Sequence, residues 1–331
     1  MKVALDAMGG DFAPSPVVQG GVEAVAQYDG LELVLVGPED VVRPLVAEFR
    51  GEGLPISVVH APQVVDMHES PAEALRRKPQ SSIMKCWELL ARREVDAIVS
   101  AGNTGAVVAG GLFTRRFLPG IKRPGIAVSI PAPTGACVLI DVGANTTPRP
   151  EHLFQYGLMG LVYAQKIHQV EHPRIGLLNV GTEDVKGNEL TKETHRLFNS
   201  SHLAENFVGN IEGRDIFVGK ADVIVCDGFV GNVVLKVCEG LVEMMLRTTA
   251  EELLRRFPGD MSGHVRECFQ SLSQRYHYST YGGAPLLGID GICMICHGSS
   301  DAHAIRNAVR AAAEFVRLGV NAAIKQELAL D

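Results

Sequence analysis

Short apolar runs alternate along the chain with longer segments whose apolar residues recur at three- and four-residue steps. The runs are Val3–Asp6, Leu33–Val36, Ile56–Val59, Ala97–Ser100, Ile126–Ile130, Cys137–Val142, Ile175–Val180, Ile216–Val218, Val223–Cys226 and Ile292–Cys296. Most are rich in Val and Ile and apolar at consecutive positions, the pattern of parallel strands buried on both faces. Between them, Pro16–Ala26, Ser82–Arg92, Gly105–Phe117 and His152–Val170 read as helices. Near the end, Ala302, Ile305, Val309, Ala312 and Val316 fall on one helical face, with Gly319 just past them as a C-cap. This alternation predicts a doubly wound, three-layer α/β/α sheet. Residues 232–278 depart from it. Their pattern is helical throughout, broken at Pro258-Gly259, and predicts a protruding helical pair suited to a dimer or membrane contact. No Pro/Ser/Gly-rich linker divides the chain, so residues 1–331 are expected to form one catalytic domain carrying that protrusion.

Composition narrows the class. Of 331 residues, 46% are hydrophobic and 21% charged, which suits a folded chain with a large core. The net charge of −7 argues against nucleic acid as a partner, and an acidic partner would need a local basic patch. The basic clusters are Arg76-Arg77-Lys78, Arg115-Arg116 and Lys122-Arg123; such a cluster is more often solvated surface than a docking site. The opening MKVALDAMGGD lacks the apolar stretch of a secretion signal, and no run is long enough to span a bilayer, so a cytoplasmic location is expected. Seven cysteines in that compartment stay reduced. Cys293, Cys296 and His297 spell C-x-x-C-H, a haem-attachment pattern, but without export the cysteines read as small apolar residues of a buried strand. No second C-x-x-C completes a zinc site, and no metal or other cofactor is expected.

The chemistry sits in the loops that follow the strands. These are DAMGGD (Asp6, Gly9, Gly10, Asp11), SAGNTGA (Ser100, Gly102, Asn103, Thr104, Gly105), GAN (ending in Asn145), GTEDVKGNEL (with Lys186 and Asn188), DGFVGN (Asp227, Gly228, Asn232) and HGSSDAH (His297, Gly298, Ser299, Ser300). Ligands of open α/β sheets bind beyond the carboxyl ends of strands. Taken singly, each loop is explained as a turn or a helix cap. Taken together, they are expected to line one rim of the sheet and form one site. SAGNTGA and HGSSDAH each run from a strand into a helix, an arrangement that favours an anion, and Ser299 or Ser300 is expected to cap the last helix. The chain has no Walker-type phosphate loop, no G-x-S-x-G elbow and no G-x-G-x-x-G fingerprint. Cys296 beside His297 is poorly placed as nucleophile and base, because neighbours on a strand point to opposite faces.

In this order the stretches DAMGGD, SAGNTGA, DVGAN, KGNEL, GFVGN, YGGAPLLG and HGSSDA resemble the bacterial phosphate acyltransferases of phospholipid synthesis, over nearly the whole length. The resemblance implies transfer of a long-chain acyl group from acyl carrier protein (ACP) to inorganic phosphate. It implies a homodimer, a loose association with the inner membrane face, and a partner there that passes the acyl phosphate to glycerol 3-phosphate. It also implies a fold similar to the isocitrate and isopropylmalate dehydrogenases and phosphotransacetylase. Two departures weaken individual residues: Thr146-Thr147 follow GAN, and Thr182 and Val185 interrupt the acids Glu183-Asp184.

Phosphate is itself a nucleophile, so the site is expected to work by positioning and by donors to the oxyanion. His297 is the candidate general acid for the departing thiolate, Asn103 an orienting amide, and Lys186 or Arg76 a counter-charge for phosphate. Arg76, Arg77 and Lys78 are the candidate dock for the acidic carrier. Three rival readings stand beside this one: an NAD- and metal-dependent decarboxylating dehydrogenase of the same fold, a module that binds acyl-ACP without turnover, and a short-chain acetyl-CoA:phosphate transferase.

Overall fold

The β-branched runs pair edge to edge, and the amphipathic segments cover them. In a computed structural model, residues 1–114, 116–132, 135–256, 261–276 and 282–330 are described. The first half holds β1 (Lys2–Asp6), α1 (Ser15–Gln27), β2 (Glu32–Gly37), α2 (Glu39–Glu48), β3 (Ile56–His60), α3 (Pro71–Arg77), α4 (Ser82–Ala91), β4 (Ala97–Ser100) and α5 (Thr104–Thr114). Then come β5 (Gly125–Ala132), β6 (Gly135–Ile140), α6 (Pro150–Lys166), β7 (Ile175–Leu178), α7 (Glu189–Asn199), β8 (Phe207–Ile211) and β9 (Val223–Val225). The long α8 (Gly228–Arg256) and α9 (Met261–Tyr276) follow, and the chain closes with β10 (Ala284–Leu287), β11 (Ile292–Ile295), α10 (Ala302–Arg317) and α11 (Val320–Leu328).

The described strands form one eleven-stranded sheet in the order β3-β2-β1-β4-β11-β10-β5-β6-β9-β7-β8. Alternate residues of each strand enter opposite cores. Val3 and Leu5 of β1 pack with Val18 and Val22 of α1 and Ile305 and Val309 of α10. Ala4 of β1 and Ile98 of β4 face the other way, toward Ile83 and Trp87 of α4 and Val107 of α5. Helices therefore cover both faces. Trp87 is fully buried, and its indole N–H donates to the Val107 carbonyl at 3.0 Å. Gly110 of α5 lies directly under that ring, where a Cβ would come within 2.4 Å of it. Each large side chain buried this way contributes roughly 1.5–3 kcal/mol.

The sheet is not uniformly parallel, which corrects the expectation from the apolar runs. β10 pairs antiparallel with both β11 and β5, and β5 pairs antiparallel with β6. β1, β2, β3, β4 and β11 therefore run one way, and β6, β9, β7 and β8 run the other. The reversal hinges on β10, which contains Pro285 and so was not recognised as a strand; it sits where Pro285 faces Met294 across the pair.

Other expectations shift locally. Residues 216–218 are not a strand: Gly213–Phe217 form a 3₁₀ turn. The carboxylate of Asp215 accepts the Glu212 N–H at 2.9 Å and closes that turn. Phe207–Ile211 is a strand although Gly209 and Asn210 interrupt its apolar run. α8 starts at Gly228 rather than at residue 232. The break at Pro258-Gly259, the clustered Arg115 and the Tyr281 of YGGAPLLG lie outside the described residues. Gly319 takes φ +65° after α10, the left-handed value a glycine C-cap requires. No helix among the described residues is long and apolar enough to cross a membrane.

Candidate active site

Because the two halves of the sheet run oppositely, the six loops do not share one rim. The loops after β1, β4 and β11 leave one edge, and those after β6, β7 and β9 leave the opposite edge. β4 and β9 are five strands apart in the sheet, a lateral separation of about 24 Å. The expectation of a single site is corrected to two loop clusters.

The first rim is built around Asp6, at the end of β1 and 3% exposed. Its carboxylate accepts the Ser100 hydroxyl at 2.8 Å and the Met8 N–H at 3.3 Å. Burial raises its pKa, and hydrogen bonds from Ser82, Ser100, Met8 and Gly9 oppose that rise. Ser100 Oγ in turn accepts the Gly102 N–H at 3.1 Å. The three turns touch through backbone: Asp11 N–H donates to the Gly298 carbonyl at 2.7 Å. Gly9 faces Gly102 so closely that a Cβ would lie 2.6 Å from its nitrogen. Gly10, at φ +127°, meets Gly298 in the same way.

His297 is exposed at the mouth of this rim. Its Nδ1 lies 2.7 Å from Ser299 Oγ and accepts the Ser299 N–H at 3.3 Å, which leaves a neutral ring's proton on Nε2. Ser300 is buried and its hydroxyl has no hydrogen-bond partner among the described residues. Neither serine caps α10: Asp301 does, accepting the Ala304 N–H at 2.8 Å. The three-residue reach of an N-cap selects Asp301, one step nearer the helix than Ser300.

Asn103 is committed to the protein's own backbone. Its amide nitrogen donates to the carbonyls of Met67 and Glu69 at 3.0 Å each, and its oxygen accepts the Ala106 N–H at 3.1 Å. It thereby straps residues 66–69 across the rim, and Met67 lies over Gly298. Thr104 opens α5, and Gly105 packs against Pro71 at the start of α3. At the other end of α3, Arg77 pairs with Glu73, and Lys78 holds Glu69 and the Val64 carbonyl. Arg76 is exposed and forms no ion pair with a described residue. The cavity enclosed by Asp6, Ser82, Ser100 and Asn103 is about 10 Å³, room for one water.

The second rim repeats the device of a buried aspartate at a strand end. Asp141, fully buried, accepts N–H groups from Ile126, Gly143 and Ala144 on one oxygen and from Asn145 on the other, at 2.7–3.0 Å. Desolvation raises its pKa against those four bonds. The Asn145 carbonyl accepts the Gly228 N–H at 2.9 Å, docking α8 onto the turn. Asn232, one helical turn on, covers Gly143. Asp227 caps α8, accepting the N–H groups of Phe229 and Val230. Asn188 caps α7, and Lys186 is exposed beside them, its ammonium 4.0 Å from Glu183. A cleft of about 480 Å³ opens here, between the ends of β7 and β9 and the starts of α7 and α8.

The structure thus brings Asp6, Gly9, Gly10, Asp11, Ser100, Gly102, Asn103, Thr104, Gly105, His297, Gly298, Ser299 and Ser300 into one cluster. It groups Asn145, Lys186, Asn188, Asp227, Gly228 and Asn232 in the other. Sequence reasoning passed over Ser82, which bonds Asp6 from the start of α4, and Met67, which lies over Gly298 from the loop after β3. Asp141 stood in the quoted DVGAN, but only its four acceptor contacts single it out. Cys293 and Cys296 are buried, and burial pushes the Cys296 thiol up to about 12, so both are neutral core groups. Among the described residues no cluster of three His, Cys, Asp or Glu side chains is placed to hold a metal.

Residues 1–323 match the family model described as "Fatty acid synthesis protein", and the chain belongs to that family. Within it, the chain is 45% identical over 329 residues to the phosphate acyltransferase of Geobacter sulfurreducens, covering 99% of this chain and 94% of that one. It is 47% identical over 317 residues to the phosphate acyltransferase of Pelotomaculum thermopropionicum, covering 96% and 92%. It is therefore an acyltransferase enzyme of fatty acid and phospholipid synthesis, and none of the rival readings is favoured. The fold is that of a phosphotransacetylase from Streptococcus pyogenes, at a TM-score of 0.62 and 17% identity over 96% of this chain and 94% of that one.

Proposed function

We propose that the protein moves a long-chain acyl group from ACP to inorganic phosphate, with the phosphate seated at the first rim. The observation that carries this is the meeting there of the Asp6–Asp11 turn with the Ser100 and Ser299 turns at the starts of α5 and α10, with the Ser300 hydroxyl buried and without a hydrogen-bond partner among the described residues. N–H groups at helix starts favour an anion. A phosphate oxygen attacks the thioester carbonyl carbon, donors of the Ser100 and Ser299 turns stabilise the oxyanion, and the C–S bond breaks. As the imidazolium, His297 turns its Nδ1–H to Ser299 Oγ and gives its Nε2 proton to the departing sulfur, returning to the neutral ring. No enzyme nucleophile is invoked, in keeping with the burial of Cys293 and Cys296. Asp6 and Asn103 act as positioning residues, holding the turns rather than touching substrate.

The test is phosphate-dependent thiol release from palmitoyl-ACP. His297→Gln should lower kcat with little change in KM, and wild-type turnover would remove His297 from the reaction. Arg76, which forms no ion pair among the described residues, is the proposed contact for the acidic carrier; Arg76→Glu should raise KM for acyl-ACP and leave kcat intact, and an unchanged KM refutes this.

The finer architecture belongs to the same reading: a single catalytic domain related to the isocitrate dehydrogenase fold, working as a homodimer. Val233, Val237, Leu241, Met244 and Met245 form an exposed apolar stripe at helical spacing along α8, the kind of face a second copy covers. A monomeric mass by light scattering would overturn the dimer. We place the enzyme in the cytoplasm and loosely at the inner membrane face, handing acyl phosphate to the glycerol 3-phosphate acyltransferase. Failure to sediment with anionic vesicles would overturn the membrane contact.

A further inference from the structure

The cleft at the second rim differs in chemistry from the anion-favouring first rim. Leu153, Leu178, Val180, Cys226 and Val230 line it, and the polar residues between them have turned inward. The Asn179 amide donates to the Lys186 carbonyl at 3.2 Å and accepts the Val180 N–H at 2.8 Å. Thr191 Oγ donates to the Asn188 carbonyl, and Asn188 Oδ1 accepts the Thr191 N–H, both at 3.0 Å. One oxygen of Asp227 is occupied by the first turn of α8. The Cys226 thiol donates to the Asp141 carbonyl at 3.5 Å and behaves as apolar wall. Hydrogen-bonding capacity is thus spent within the loops, and what remains facing the cleft is mostly carbon.

We propose that this cleft binds a single long aliphatic chain. Its volume of about 480 Å³ falls within the range of small-molecule sites, roughly 300–1,000 Å³. The Asp227 carboxylate in its wall disfavours a phosphate dianion, so the occupant is the uncharged part of a molecule. Val180 is 83% exposed and Phe229, adjacent to the lining residue Val230, is 64% exposed. These large apolar groups stand in water at the mouth, where a chain would cover them. Lys186, whose backbone Asn179 grips, stands in the loop at the edge, a partner for a carbonyl or carboxylate at the chain's end. Naming the chain as fatty acyl rests on the acyltransferase reading; the aliphatic character rests on the cleft alone.

The experiment titrates cis-parinaric acid, a fluorescent long-chain fatty acid, into the full-length protein and into Val230→Trp, which fills the cleft. Val180→Glu, at an exposed position the fold does not need, is the second variant. The expected result is saturable binding to wild type and at least tenfold weaker binding to both variants, with unchanged circular dichroism. No saturable binding to wild type, or equal affinity in all three proteins, overturns the proposal. The source of the chain is read in a second arm. A rise in KM for palmitoyl-ACP but not butyryl-ACP in Val230→Trp assigns the site to the substrate's own chain and overturns the seating of the reaction at the first rim, on the opposite edge of the sheet. Unchanged KM for both, with parinarate binding lost, assigns it to a separate lipid. A wild-type protein that fails to consume acyl-ACP with phosphate would defeat the acyl-transfer reading, and the titration would still decide the cleft.

Discussion

Replacing Gly9 with alanine tests whether the first rim is the seat of the reaction. Gly9 has no positive φ, so the substitution adds no backbone strain, and its whole effect is the methyl group. That carbon would lie 2.6 Å from the Gly102 nitrogen, 2.9 Å from an Asp6 carboxylate oxygen and 3.0 Å from Ser100 Oγ. The nearest atom belongs to the backbone and cannot rotate away, so the Ser100–Gly102 turn must retreat by about 0.4 Å to restore a 3.0 Å contact. Overpacking of this kind costs about 1–3 kcal/mol. The kinetic effect is expected to exceed the loss of stability. A misplacement of about 1 Å can cost two orders of magnitude in rate, so a shift of a few tenths should cost kcat/KM about tenfold. Gly30→Ala is the control. There φ is +74° with nothing within 4 Å, so alanine meets strain without a clash. It should lose about 1–2 kcal/mol and keep full turnover per folded molecule. The assay is thiol release from palmitoyl-ACP beside a thermal melt of each variant. Wild-type kcat/KM in a folded Gly9→Ala protein would refute the placement of the reaction at this rim.

Two further outcomes follow from the packing. Gly231→Ala should destabilise more than Gly9→Ala, because a Cβ there would fall 1.9 Å from the Asp141 carbonyl oxygen and prise α8 from its root; equal melting temperatures would contradict this. His168 bonds Ser129 at 2.9 Å, and burial lowers its pKa from 6.5 to about 4. Between those values the unfolded chain binds the extra proton, so stability falls as pH drops from about 6.5 toward 4, by up to about 3 kcal/mol. Urea unfolding at pH 7 and pH 5 should show about 2 kcal/mol of that loss in wild type but not in His168→Asn; equal losses in both would show that another group carries it.

Much of the fold is legible in the chain because burial on both faces leaves a local mark. β1, β2, β4 and β11 stand out as Val- and Ile-rich runs, and α10 as a clean apolar stripe. The strands that escaped notice lack that mark. Pro285 interrupts β10, and Gly209 and Asn210 interrupt β8, yet both are held by partners distant in sequence. The residues 216–218 erred the other way: three apolar side chains in a row resemble a strand, but the Glu212–Asp215 capping contact turns them into a 3₁₀ helix.

The candidate site divides along the same line. That Gly, Ser, Asn and Asp gather at strand ends is a property of the sequence, and so is the family to which those motifs belong. Which strand ends lie together is not, because strand direction depends on a hydrogen-bond register that no local pattern encodes. Three successive antiparallel pairings, β11 with β10, β10 with β5 and β5 with β6, reverse the second half of the sheet and send Asn145, Lys186 and Asp227 to the far edge. The same holds for individual side chains. Asn103 looks like a free amide until the loop at residues 66–69, distant in sequence, takes up its donors. Chemistry was therefore written in residue types and their order, while its grouping into two loop clusters on opposite edges of the sheet was decided by tertiary pairing, since only folding brings remote backbone within hydrogen-bond reach.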